Sequence, residues 1–147
     1  MKKLALGALA GLSLSISAIG IAAAADRPYT EGAVSAVTSV RTEPGMFDQY
    51  MAWLAGPWKQ QMEAQKAAGV ILSYAVYSVV PHGPNDPDLY LVTTYKNMAA
   101  LDNMDSKVDP IFEKLVGSLE VQNQKYAERS RLRTPIGNEL MREIVLK

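Results

Sequence analysis

Val70-Ile71-Leu72-Ser73-Tyr74-Ala75-Val76-Tyr77-Ser78-Val79-Val80 is the stretch that decides the fold. Successive side chains of a strand point to opposite sides of its sheet. Here both sides are apolar: Val70, Leu72, Tyr74 and Val76 fall on one, Ile71, Ala75, Tyr77 and Val79 on the other. Leu89 to Tyr95 repeats the pattern, with Leu89, Leu91 and Tyr95 opposed to Tyr90 and Val92. Strands that read this way belong to a sheet that shows neither face to water. Between them, Pro81-His82-Gly83-Pro84-Asn85-Asp86-Pro87-Asp88 is dense in turn formers and is expected to be a loop.

Working outward toward the N-terminus, Ala33 to Arg41 is β-branched and loosely alternating, which predicts a first strand stopped by Pro44-Gly45. Phe47, Tyr50, Met51, Leu54, Trp58 and Met62 then recur at helical steps, predicting a helix that runs to Ala68 and ends at Gly69 in a left-handed cap. Pro57 breaks a local rule inside it, because its ring meets the carbonyl of Trp53 and should kink the helix. Toward the C-terminus, Asn97 can cap a short helix carrying Met98 and Leu101. Asp109-Pro110 reads as the start of a longer helix whose stripe is Ile111, Phe112, Leu115, Leu119 and Tyr126, fading near Arg133 before Pro135. Thr134 to Asn138 should turn the chain into a last strand, Glu139 to Lys147. The chain shows no internal repeat and, beyond its first 25 residues, no low-complexity segment.

The order strand, helix, strand, strand, helix, strand predicts an α+β domain: a four-stranded antiparallel sheet with both helices on one face. The other face needs a cover, and a second copy of the same sheet is the simplest one. Burying roughly 800 Å² per partner is worth on the order of 20 kcal/mol, against association costs of about 4 to 15 kcal/mol. The alternative is a monomer whose own terminal segment, residues 26–32, folds across the free face.

Gly45-Met46-Phe47-Asp48 at the first helix, Ala68-Gly69-Val70-Ile71-Leu72 entering the second strand and Asp88-Leu89-Tyr90-Leu91-Val92-Thr93-Thr94-Tyr95 as the third resemble the dimeric α+β barrel superfamily over about residues 33–147. The resemblance implies a ferredoxin-like βαββαβ subunit, a homodimer, and a ligand cavity between helix and sheet. It is silent on the reaction, since that superfamily includes cofactor-free monooxygenases, haem-dependent peroxidases, isomerases and binding proteins.

Residues 1–25 read as a secretory signal peptide: Lys2 and Lys3, an apolar run from Leu4 to Ile21, and Ala22 to Ala25 before Asp26. An uncleaved anchor is the competing reading, but Gly7, Gly11, Ser13, Ser15, Ser17 and Gly20 dilute the run. The expected mature protein is then a single domain, residues 26–147, periplasmic or secreted, with no stable membrane anchor after cleavage. Without Lys2 and Lys3 its 13 basic residues face 15 acidic ones, a net charge near −2 that disfavours nucleic acid as a partner. The chain has no cysteine, so neither a disulfide nor a lipidated cysteine is available.

The chemistry-bearing residues are few. His82 is the only histidine and lies in a proline-flanked loop, which argues against a serine-hydrolase triad, a multi-histidine zinc site and axial haem ligation; no cofactor or metal is expected. Asp102, Asp105 and Asp109 lack the register of a calcium loop, and the scattered methionines suit core filling better than copper binding. Lys125, Arg129, Arg131 and Arg133 read as a solvated helix end, with an anion or surface contact as the alternative.

What remains is aromatic. Trp53 and Trp58 flank the expected kink, and the helix-facing members of Tyr74, Tyr77, Tyr90 and Tyr95, with Asn97, are candidates to line a pocket for a small apolar or aromatic ligand. A cofactor-independent monooxygenase or isomerase, with Trp53, Trp58, Tyr74 and Asn97 positioning an electron-rich substrate, is the alternative. A structural or interaction protein of the cell envelope, presenting its Pro81 to Asp88 loop, is the third reading.

Overall fold

The computed structural model describes residues 26–147; the expected signal peptide lies outside the described residues. Four strands, β1 (Tyr29–Thr42), β2 (Ser73–Ser78), β3 (Leu89–Tyr95) and β4 (Arg133–Leu146), form one antiparallel sheet in the order β2-β3-β1-β4. Helices α1 (Phe47–Trp53) and α2 (Lys59–Ala67) connect β1 to β2, and α3 (Met104–Val116) and α4 (Leu119–Arg129) connect β3 to β4. This is the βαββαβ, ferredoxin-like arrangement that the order of periodicities predicts.

Register fixes the two faces of the sheet. Val40 pairs with Leu89, Thr38 with Leu91 and Val76 with Leu91, and Val40, Leu89, Tyr50 and Leu54 form the buried centre. Val40 and Leu89 therefore point toward the helices. The alternate positions, Val37, Ala75, Tyr77, Tyr90, Val92 and Met141, form the opposite face, where Tyr77 is 57% exposed. Residues Tyr29 to Glu31 are paired with Ile144 to Leu146. They extend the β1–β4 ribbon, so they do not fold across the free face as the monomer alternative requires.

Several boundaries differ from expectation, each for a local reason. Gly69 takes φ +71°, and the amides of Gly69 and Val70 donate to the carbonyls of Lys66 and Gln65 at 3.0 and 2.9 Å, closing the first helix as expected. Pro57 does not break that helix: Leu54–Trp58 forms one π-helical turn, in which the amide of Lys59 reaches back to the carbonyl of Leu54. The wider turn takes up the proline ring that a regular helix cannot.

The second helical unit starts earlier than Asp109. Asn103, at φ 52°, leads into α3, and Pro110 sits inside the helix rather than at its first position. The long helix expected to reach Arg133 is instead cut by Gly117, at φ +113°, and Ser118 caps α4 through the amide of Val121. Thr134 to Asn138 is not a free turn but part of β4, where a bulge at Ile136 absorbs the irregularity. The Pro81 to Asp88 loop is tied down by the Asp86 carboxylate, which accepts from the amides of His82 and Gly83 at 3.0 and 2.9 Å.

Candidate functional site

Positions 50 and 53 lie one turn apart on α1, so their side chains share a face. The rings of Tyr50 and Trp53 stack with centroids 5.7 Å apart and planes 8° from parallel. Two guanidiniums close over this pair. Arg129, the last residue of α4, lies 4.3 Å over the Trp53 ring and 5.0 Å over Tyr126; Arg133, the first residue of β4, lies 5.9 Å over Tyr50 and 5.8 Å over Tyr126. Arg133 is 9% exposed and Tyr50 fully buried.

Cation–π contact supplies part of what these charges lose by leaving water, about 0.5 to 2 kcal/mol each. It does not complete them. The ion pairs among the described residues are Arg142–Glu31 and Lys147–Asp26, so neither Arg129 nor Arg133 has a carboxylate within reach. The Nε atoms of both arginines and the hydroxyl of Tyr50 are buried without a hydrogen-bond partner. Arg133 approaches the Tyr50 hydroxyl and its charge favours the phenolate, yet the geometry falls short of a hydrogen bond. Burial outweighs that attraction and pushes the Tyr50 pKa up. Burial, with the like charge of Arg133, pushes that of Arg129 down. Asp88, whose charge also bears on Tyr50, is engaged elsewhere: it accepts from the amide and the hydroxyl of Thr42.

The cluster opens onto a cavity of about 860 Å³ between the α1–α2 unit and the α3–α4 unit. Trp53 and Pro57 line one wall, Phe112, Leu115, Tyr126 and Arg129 the other, and Gln49, Gln60, Gln61, Gln122 and Asn123 supply amides. Lys125, Arg129 and Arg131 face it against one carboxylate, Glu128, so the lining is cationic. A space of this size and make-up is within the range of small-molecule sites.

The structure redistributes the residues singled out in the sequence. Trp53 lines the cavity, which lies between helices rather than between helix and sheet. Trp58 sits edge-on to Tyr74 at 5.3 Å and packs against the core, while the Tyr74 hydroxyl donates to Glu63. Tyr95 faces the helices near Val34, and its burial pushes its pKa up. Tyr77 and Tyr90 pair on the opposite face of the sheet. Asn97 accepts from the amide of Ala100 at 3.0 Å, capping the 3-10 turn Met98–Leu101, beside a smaller cavity of about 490 Å³.

Sequence reasoning missed the arginines. Arg129 and Arg133 are not a solvated helix end: the break at Gly117 lets α4 turn its last residues onto α1. The available signal was local: Tyr126 and Arg129 stand three apart on one side of the helix end. Among the described residues no three histidine, cysteine or acidic side chains gather as a metal site.

No family model and no curated protein matches this chain. Solved structures do. A crystal structure of a Shewanella oneidensis protein is 13% identical, with a TM-score of 0.50, and the match covers 80% of this chain and 96% of that one. HapK from Hahella chejuensis is 10% identical, TM-score 0.49, over 75% of this chain and 91% of that one. A dimeric ferredoxin-like protein from an uncultured marine organism is 9% identical, TM-score 0.48, over 80% and 90%.

The chain has a ferredoxin-like βαββαβ fold. At these identities the likeness is one of fold.

Proposed function

We propose that this is an exported homodimeric α+β barrel protein that binds a small apolar or aromatic molecule in the cavity between its two helical units. The observation that carries the reading is Trp53, stacked under the Arg129 guanidinium, on the wall of an 860 Å³ space whose other wall holds Phe112, Leu115 and Tyr126. Flat rings next to a few amides favour a flat, mainly apolar guest. The test is to purify the protein from its native compartment under gentle conditions and record native mass spectra. Dimers carrying a discrete small mass that is lost in Trp53→Ala support the reading; bare protein in every preparation refutes it.

A cofactor-independent oxygenase or isomerase is the second reading, favoured by one feature: the cavity is not aliphatic but presents Arg129, a cation in a desolvated setting, to whatever enters. Fixed charge of this kind can stabilise an anionic intermediate. Incubating the protein with its captured ligand in air, and finding a gain of one oxygen atom or an isomer, distinguishes catalysis from storage. An unchanged ligand leaves binding alone.

A further inference from the structure

The proposed ligand site contains more positive charge than a neutral aromatic guest can use. Arg129 and Arg133 come from the end of α4 and the start of β4 and share the Tyr126 ring between them, and burial together with the charge of Arg133 makes Arg129 harder to protonate. Buried charges are ordinarily paired, and an unpaired one calls for a reason. Arg133 is nine-tenths buried without a carboxylate, and Arg129, also without one, is on the cavity wall. Glu128, the one acid on that wall, is held by the side-chain amide of Gln124 at 3.2 Å.

A guanidinium held over an aromatic ring makes no hydrogen bond through that contact, and its N–H groups stay available to bind a carboxylate bidentately. An anion delivered there relieves the repulsion between the two arginines and replaces the acid the chain does not provide. We infer that the cavity takes a planar aromatic molecule bearing one anionic group, a carboxylate above all, with its ring along the wall formed by Phe112 and Leu115 and its charge on Arg129. This rests on the ligand-binding reading above and adds to it the class of ligand.

The test uses two probes of one shape, 2-naphthoate and the neutral 2-naphthalenemethanol, titrated into the purified protein by calorimetry. Naphthoate is expected to bind roughly 10- to 100-fold more tightly, the range of a hydrogen bond to a charged group. Arg129→Gln should bring the two affinities together, and Arg129→Lys, which keeps the charge but loses the fork, should restore part of the gap. The wild-type comparison stands even where a variant fails to fold. Equal affinities for acid and alcohol overturn the anionic inference and leave the ligand reading intact. No binding of either probe, in a protein that also retains nothing from its native compartment, overturns both.

Discussion

Tyr50 shows how a single residue carries opposed demands. Its ring belongs to the buried centre with Val40, Leu54 and Leu89, while its hydroxyl is sealed in without a partner. A buried polar group left unpaired costs about 1 to 3 kcal/mol. Tyr50→Phe keeps the ring and removes the hydroxyl, so chemical denaturation at neutral pH should find the variant as stable as the parent or up to about 1 kcal/mol more so. By contrast, Leu89→Ala, at a side chain 1% exposed, should lose about 2 to 5 kcal/mol.

The same residue predicts a pH dependence. The folded pKa of Tyr50 is raised above its ordinary 10.0, so the folded state holds that proton more tightly than the unfolded chain does. The stabilisation is complete below the ordinary value and is lost as pH climbs through the higher folded one. Unfolding free energy measured between about pH 8 and 12 should fall more steeply for the parent than for Tyr50→Phe. Tyr74 and Tyr95, also raised, keep some slope in the variant. Parallel curves would mean that Tyr50 ionises as freely in the fold as outside it.

At the scale of elements, two glycines in helical units should respond differently to alanine. Gly56 lies in the π-helical turn without a positive φ, but it precedes Pro57, whose Cδ crowds the Cβ of a helical residue before it, so the entropy gained by Gly56→Ala is offset and stability should change by less than about 0.5 kcal/mol. Gly117, at φ +113° and ψ −163°, joins α3 to α4 in a backbone region essentially reserved for glycine, and Gly117→Ala should cost about 1 to 3 kcal/mol through backbone strain. Thermal melts of the pair check both. Because α4 carries Tyr126 and Arg129 onto the cavity, the second variant should also weaken probe binding, whereas a general loss of stability with unchanged affinity would separate that glycine from the site.

These elements also show what was legible. Strand β3 falls where alternation places it, from Leu89 to Tyr95, and Gly69 closes the first helix because only a left-handed residue satisfies that turn. Such features are local, and local pattern specifies them. The break at Gly117 and the burial of Arg133 are not of that kind. A glycine beside a serine within a helical period can be passed over or can cut the helix. The tertiary contact of Arg129, at the end of α4, with Trp53 of α1 decides which, and with it whether a basic run faces water or a ring. The cavity therefore escaped sequence reasoning in position, although Trp53 was among its expected residues.

The whole molecule is defined by what its sheet leaves uncovered. Both helical units sit on one face, and the other shows Tyr77, Tyr90, Val92 and Met141, continued along the long β4 arm by the exposed Val145. Contiguous apolar surface of this extent on a small domain marks an interface. Its N-terminal residues are committed to the β1–β4 ribbon, which leaves a second copy as the cover that closed two-fold symmetry offers most simply. Sedimentation of the chain from Asp26 should give a dimer down to low micromolar concentration. Tyr77→Lys, whose side chain touches neither the core cluster nor the cavity, should yield a folded monomer with its melting transition retained. Export is tested separately: protein expressed from the full sequence and recovered from outside the cytoplasm should begin, by N-terminal sequencing, at Asp26. A parent chain that sediments as a monomer at every concentration would leave the free face in water and remove the reason for a dimer, while leaving the cavity within each subunit untouched, because its walls come from helices of a single chain.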